Sequence, residues 1–207
     1  MSVADYMSTK LIIATPQTTV SAAIERMKEH DIHRLPVLDG HRLVGIVTQG
    51  IIARALPSQA TSLSVYETNY LLTQTTVATI METHVQTVPD TAQLEDAIYQ
   101  MRQHKIGVLP VTREAQVVGI ITNNDILDAF LNISGYGESG VVSRIRVTHD
   151  QPGVIFAIGK VLAEHHLSIQ TLMVVRQPEA RIIELHIASD QADQVTRVLT
   201  AAGFTVV

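Results

Sequence analysis

The front of this chain is written twice. Residues 27–48 (MKEHDIHRLPVLDGHRLVGIVT) return 74 residues later as residues 101–122 (MRQHKIGVLPVTREAQVVGIIT), with ten of 22 positions identical. A supersecondary unit used twice does not bury its apolar face alone, so the copies are expected to pack on each other and leave clefts at their seam. Functional residues are sought where the copies meet.

Within the first copy Val20, Ala23, Ile24 and Met27 fall at i, i+3, i+4 and i+7, which predicts a helix over about 19–30. Leu94, Ala97, Ile98 and Met101 repeat that stripe. Each helix leads to a predicted strand (35–38, 108–112), a polar turn, a second strand (43–47, 117–121) and a closing helix from Gln49 or Asn123. A leading strand precedes each unit and ends at a proline: 12–15 before Pro16 and 85–88 before Pro89. Between the copies, 57–76 carries Val65, Tyr66, Tyr70, Leu71 and Leu72, read as a helical connector packed on the pair.

After Leu131 the composition turns to NISGYGESG and the pattern changes. A strand with Ile145 and Val147 runs into Asp150-Gln-Pro-Gly153. A helix with Val154, Ile158, Val161 and Leu162 on one face follows. Two strands alternate at Leu167, Ile169, Thr171 and Met173, then at Ile183, Leu185 and Ile187. A last helix ends at Gly203, placed as a left-handed cap, before a strand over 204–207. The order is βαββαβ, a ferredoxin-like sandwich, so the fold class is α+β throughout.

Composition narrows the function. The net charge of −5 falls entirely in residues 1–140, where nine Lys or Arg face fourteen Asp or Glu. Without a basic stripe, nucleic acid is not expected as a partner. The absence of cysteine excludes disulfides, thiolate zinc sites and cysteine nucleophiles. No apolar run approaches the roughly 18 residues of a spanning helix and the start lacks an apolar signal core, so the expectation is a cytoplasmic protein with no membrane partner. His165 and His166 are adjacent on a helix and diverge by about 100°, against a shared metal; no metal site is expected.

The string 135–140, GYGESG, fits G-x-G-x-x-G but leaves a helix and enters a strand, the reverse of a dinucleotide fingerprint, and is read as a joint. More informative is Gly119-Ile-Ile-Thr122-Asn-Asn-Asp125, where a strand runs straight into a helix. Thr122 and Asp125 suit capping of that helix. They equally suit a ligand, the hydroxyl and free N–H groups for phosphate and the carboxylate for a ribose diol. The first copy has Thr48 and Ile51 at these positions, so the carboxylate is dispensable for the helix. Before the central strand the asymmetry reverses: His33-Arg34 faces Gly107-Val108. One copy keeps the basic pair and the other the acid, and His33 and Arg34 by themselves suit solvated cations past a helix end.

These repeated features resemble a tandem pair of CBS domains, the cystathionine-β-synthase regulatory module, over residues 1 to about 133. The resemblance implies nucleotide clefts built across the two copies. Carried over by residue, one complete cleft would place ribose on Asp125 and phosphate on Thr122 and Arg34, beside His33. Adenine would lie against Ala14, Thr15 and Ile120. The opposite cleft would combine Thr48 and Ile51 with Gly107 and Val108, lack both charge partners, and bind nucleotide weakly or not at all.

The tail resembles an ACT domain on the strand-D-x-P-G-helix opening at Asp150, Pro152 and Gly153, which implies an effector touching Pro152, Gly153, Val154 and Ile155. The whole layout is similar to AcuB-like proteins, named for acetoin utilisation. The implied domains are CBS 1 at 1–60, a connector at 61–76, CBS 2 at 77–133, a Gly-rich linker at 134–142 and ACT at 143–207. The expectation is a non-enzymatic homodimeric regulator of an unnamed target protein. It requires no cofactor and takes an adenine nucleotide or adenosyl ligand as effector. The alternative is a constitutive dimerisation scaffold with empty clefts.

Overall fold

The structure, a computed structural model, describes residues 1–55, 65–149 and 151–207. It divides into two compact units, Met1–Ile126 and Leu127–Val207, each taken by itself below.

In the first unit each copy is built around a helix and a two-stranded hairpin. Helix α1 (Val20–Glu29) begins where the Thr19 hydroxyl accepts from the Ala22 N–H at 3.2 Å, and it buries Val20, Ala23 and Met27, the faces given by the 3.6-residue period. It leads to β1 (Arg34–Asp39), β2 (Arg42–Thr48) and α2 (Gln49–Ala55). After α3 (Val65–Gln74), the second copy repeats the plan with β3 (Val88–Pro89), α4 (Leu94–His104), β4 (Val108–Arg113), β5 (Gln116–Thr122) and α5 (Asn123–Ser134). Both hairpins carry an irregularity at the same place, between Val37 and Leu38 and between Val111 and Thr112.

Two expectations change here. The leading strands shrink to one bridge, Ala14 beside Val37, and to the two residues of β3 paired parallel with β4. Proline ends each ladder on one side; on the other the chain has already crossed to the opposite copy, leaving one or two residues to pair. The connector's aromatics do not pack on the pair: Tyr66 and Tyr70 are exposed on α3, and Leu72 meets the core. The rest of the connector expectation, 56–64, lies outside the described residues.

That crossing holds the pair together. Ser8 exchanges backbone hydrogen bonds with Ile120 (2.9 and 3.0 Å), and Glu82 does the same with Ile46 (3.0 and 2.9 Å). The leading turn of each copy docks at the start of the other copy's helix: Val3 N–H reaches Ala92 O at 2.8 Å, and Val77 N–H reaches Thr18 O at 2.8 Å. Bare glycines accept the crossing chain. A β-carbon on Gly45 would stand 2.5 Å from Met81 Sδ and 3.0 Å from the Glu82 carbonyl oxygen; Gly119 meets Met7 and Ser8 in the same way. Val77 is fully buried in the first copy's core with Met27, Leu35, Val37 and Val47, and Ile80 and Met81 pack against it.

In the second unit β6 (Val141–Val147), α6 (Val154–Glu164), β7 (Ser168–Arg176), β8 (Arg181–Ala188), α7 (Ala192–Ala201) and β9 (Thr205–Val206) follow the βαββαβ order. The sheet is antiparallel in the order β7-β8-β6-β9, compatible with a ferredoxin-like sandwich. Ile183, Leu185 and Ile187 alternate into a core with Ile158 and Leu162 of α6 and Val195 and Leu199 of α7. Gly203 takes φ +88° just past α7, the left-handed position glycine favours.

One strand departs from the sequence alternation. Between Ile169 and Thr171 the β7 register shifts, so Gln170 is unpaired and the inward positions become Ile169 and Leu172, with Thr171 and Met173 out of phase. The expected linker at 134–142 is shorter, because α5 continues to Ser134 and β6 starts at Val141.

Two outcomes follow from this packing. Gly45→Val forces a β-carbon into the crossing at Met81 and Glu82 and is expected to cost about 1–3 kcal/mol, read as a lowered urea midpoint. Ser143 is buried on β6 and its Oγ has no hydrogen-bond partner among the described residues, so Ser143→Ala is expected to leave stability unchanged or raise it.

Candidate ligand clefts

The crossing creates two clefts in the first unit, one on each side of the seam. The smaller, about 370 Å³, is lined by His33, Arg34, Ile120, Thr122 and Asp125 together with Lys10, Leu11, Ile12 and Asp31. Five of the seven residues assigned to the nucleotide cleft thus share one cavity. Its volume is within the range of small-molecule sites, roughly 300–1,000 Å³.

Local folding explains why those side chains converge. Arg34 opens β1 opposite Thr48, and the aligned Val108 opens β4 opposite Thr122. The strand-to-helix junctions are built alike, Gln49 N–H reaching His33 O at 3.0 Å and Asn123 N–H reaching Gly107 O at 3.2 Å. At the second junction the Asp125 carboxylate folds back: its Oδ2 accepts from the Thr122 N–H and from the Thr122 hydroxyl, both at 2.6 Å. The first junction manages with its hydroxyl alone, Ile51 N–H donating to Thr48 Oγ1 at 3.1 Å. Asp125 therefore does cap α5, with one oxygen. Its Oδ1 accepts no hydrogen bond among the described residues.

The other two assigned positions do not reach the cavity. Ala14 is fully buried, held between Pro36 and Leu38 by backbone bonds of 2.9 Å each. Thr15 is turned toward Thr18, whose Oγ1 accepts from the Thr15 N–H at 2.9 Å. The apolar wall is supplied by Leu11 and Ile12 instead, because the chain crosses the seam just before them rather than after.

The larger cleft, about 510 Å³, holds the four residues assigned to the opposite side: Thr48, Ile51, Gly107 and Val108. The expectation that it lacks charge partners is not met. Arg34 and His33 line it as well as the first cleft, and Arg54 and Lys105 join them. Arg34 reaches across because residue 107 is glycine: a β-carbon there would stand 3.0 Å from Arg34 Nη2 and 2.9 Å from Asn123 Nδ2. Neither was singled out from the sequence: Arg54 lies past the repeated string, and Lys105 lies inside it, aligned with Asp31 but outside the strand and junction motifs.

In the second unit a cavity of about 360 Å³ is lined by Gly153, Val154 and Ile155, with Phe156, Val174 and Arg181. Gly153, at φ +96°, opens α6 from the left-handed region. Pro152 is exposed and does not line it, and Asp150 lies outside the described residues. No group of three or more metal-ligating side chains occurs among the described residues, and no helix among them is long and apolar enough to cross a membrane.

Asp125→Ala is expected to cost about 1 kcal/mol through loss of the α5 cap, whereas Asp125→Asn keeps an acceptor for the Thr122 N–H and should lose little. Chemical denaturation of the two variants checks this.

The family described as "CBS domain" matches residues 3–58 and 77–132. Three solved structures share the fold. A protein named for acetoin utilization, AcuB, from Vibrio cholerae is 29% identical, with TM-score 0.56, covering 68% of this chain and 98% of that one. CBSX2 in complex with AMP is 29% identical, with TM-score 0.55, covering 64% and 97%. The CBS pair of protein MJ0100 in complex with 5′-methylthioadenosine and S-adenosyl-L-methionine is 30% identical, with TM-score 0.53, covering 63% and 99%.

Proposed function

This chain belongs to the CBS domain family, and on that premise we propose that it is a non-catalytic regulator that binds an adenosine-containing ligand in the cleft holding Arg34 and Asp125. The observation that carries this is the Asp125 carboxylate. Its Oδ2 is fixed by Thr122 while Oδ1 is left to accept, in a cavity that also presents Arg34 and an apolar wall. An oriented carboxylate accepts a ribose diol without reorganising, and Arg34 supplies the charge that a phosphate or a ligand carboxylate pairs with. Ile120, Leu11 and Ile12 offer a flat apolar contact for the base. AMP, ADP, ATP and S-adenosylmethionine-like molecules all meet this description. The adenosyl ligands of CBSX2 and MJ0100 support that class.

The second unit is proposed as an ACT domain. Its strand order, the left-handed Gly153 at the head of α6 and the cavity beside it support an amino acid or other small metabolite as a second effector. The working protein is proposed to be a cytoplasmic homodimer acting on a target protein. A scaffold that never takes a ligand is the competing reading, favoured by the fact that Asp125 already has work as a cap.

Titration calorimetry with AMP, ADP, ATP and S-adenosylmethionine separates these. One of them should bind wild type, and Asp125→Asn should weaken it roughly 10-fold or more, the loss expected for charge-assisted hydrogen bonds. Equal affinity in the variant would sink the site; binding of none would favour the scaffold.

A further inference from the structure

The two clefts are related by the repeat, yet their aligned positions differ in charge. Where the first cleft has Asp31, the second has Lys105; where the first has Asp125, the second has Ile51. Arg54 adds a cation at a position where the other copy has Asp128. The first cleft balances Lys10 and Arg34 against Asp31 and Asp125. Among the described residues, the second brings Arg34, Arg54 and Lys105 against Glu82 alone, with His33 and His84 beside them.

None of those three cations makes an ion pair among the described residues. Glu82 is engaged locally, its Oε1 accepting from the His84 N–H at 2.8 Å. Two glycines shape the cleft. Gly107 lets the Arg34 guanidinium lie across the wall, where a β-carbon would stand 3.0 Å from Nη2. Lys105 holds the left-handed cap of α4 at φ +53° and lines the cleft. The second glycine is Gly45, which seats the crossing chain that forms the far wall at Glu82 and His84.

We infer that the larger cleft is a separate site for a multiply charged phosphoryl chain, held by Arg34, Arg54 and Lys105 and recognised without its ribose. Three cations and no diol-accepting carboxylate at position 51 select charge over sugar, the reverse of the first cleft. This goes beyond the adenosine reading and stands or falls separately from it.

Inorganic tripolyphosphate is the probe, titrated into wild type, Asp125→Asn, and the double variant Arg54→Gln/Lys105→Asn, the asparagine chosen because it tolerates the left-handed backbone. Tripolyphosphate should bind wild type and Asp125→Asn alike and bind the double variant roughly 10-fold or more weakly. An adenosine ligand of the first cleft should show the opposite dependence, and if none binds, the tripolyphosphate result still decides this site. In that titration the proposal is overturned by no binding of tripolyphosphate, by undiminished binding by the double variant, or by an equal effect from sulfate at matched ionic strength. ATP in Asp125→Asn separates a free chain from a nucleotide tail. Affinity within a few-fold of tripolyphosphate supports recognition of the chain, and ATP more than roughly 10-fold tighter means that the nucleoside is read and overturns it.

Discussion

Everything in the first unit depends on the backbone crossing in which the chain before each copy pairs with the second strand of the other. The Ser8–Ile120 and Glu82–Ile46 exchanges are short, but they place Met7 and Met81 on Gly119 and Gly45 and carry Val77, Ile80 and Met81 into the first copy's core. Neither copy has a complete apolar interior by itself. The same crossing makes the clefts, since one wall of each is the incoming chain and the other is the strand-to-helix junction it lies beside.

Duplication gave the two junctions the same geometry, and substitution then set them to different chemistry. Thr48 and Thr122 cap their helices alike, yet only the second junction adds a carboxylate. One oxygen of that carboxylate secures the turn, and this fixes the direction in which the other faces. Arg34 is shared as well, lining both clefts from a single strand position.

The repeat, the helical stripes and the hairpins were legible because they depend on periods that a sequence shows directly. Residues 20, 23 and 27 are buried on α1 as their spacing requires. What failed to show were features decided by tertiary pairing. Ala14 looked like a cleft residue, but the crossing happens earlier, which buries it and brings Ile12 forward. The bulge at Gln170 reversed half of β7, and no alternation pattern announces one extra residue. Arg54 lay past the repeated strings, where the other copy has Asp128, while the reversal of Asp31 to Lys105 lay inside them, away from the strand and junction motifs.

The crossed ends also set the order in which the chain can be made. A ribosome delivers the first copy long before residues 77–81, so that copy emerges with a gap where Val77 belongs and cannot close its interior while it waits. The opening turn waits longer, since the acceptors for Val3 and Ala4 are the carbonyls of Ala92 and Asp90. Completion thus comes late and at once, through contacts of high sequence separation, which is slow folding by topology rather than by sequence.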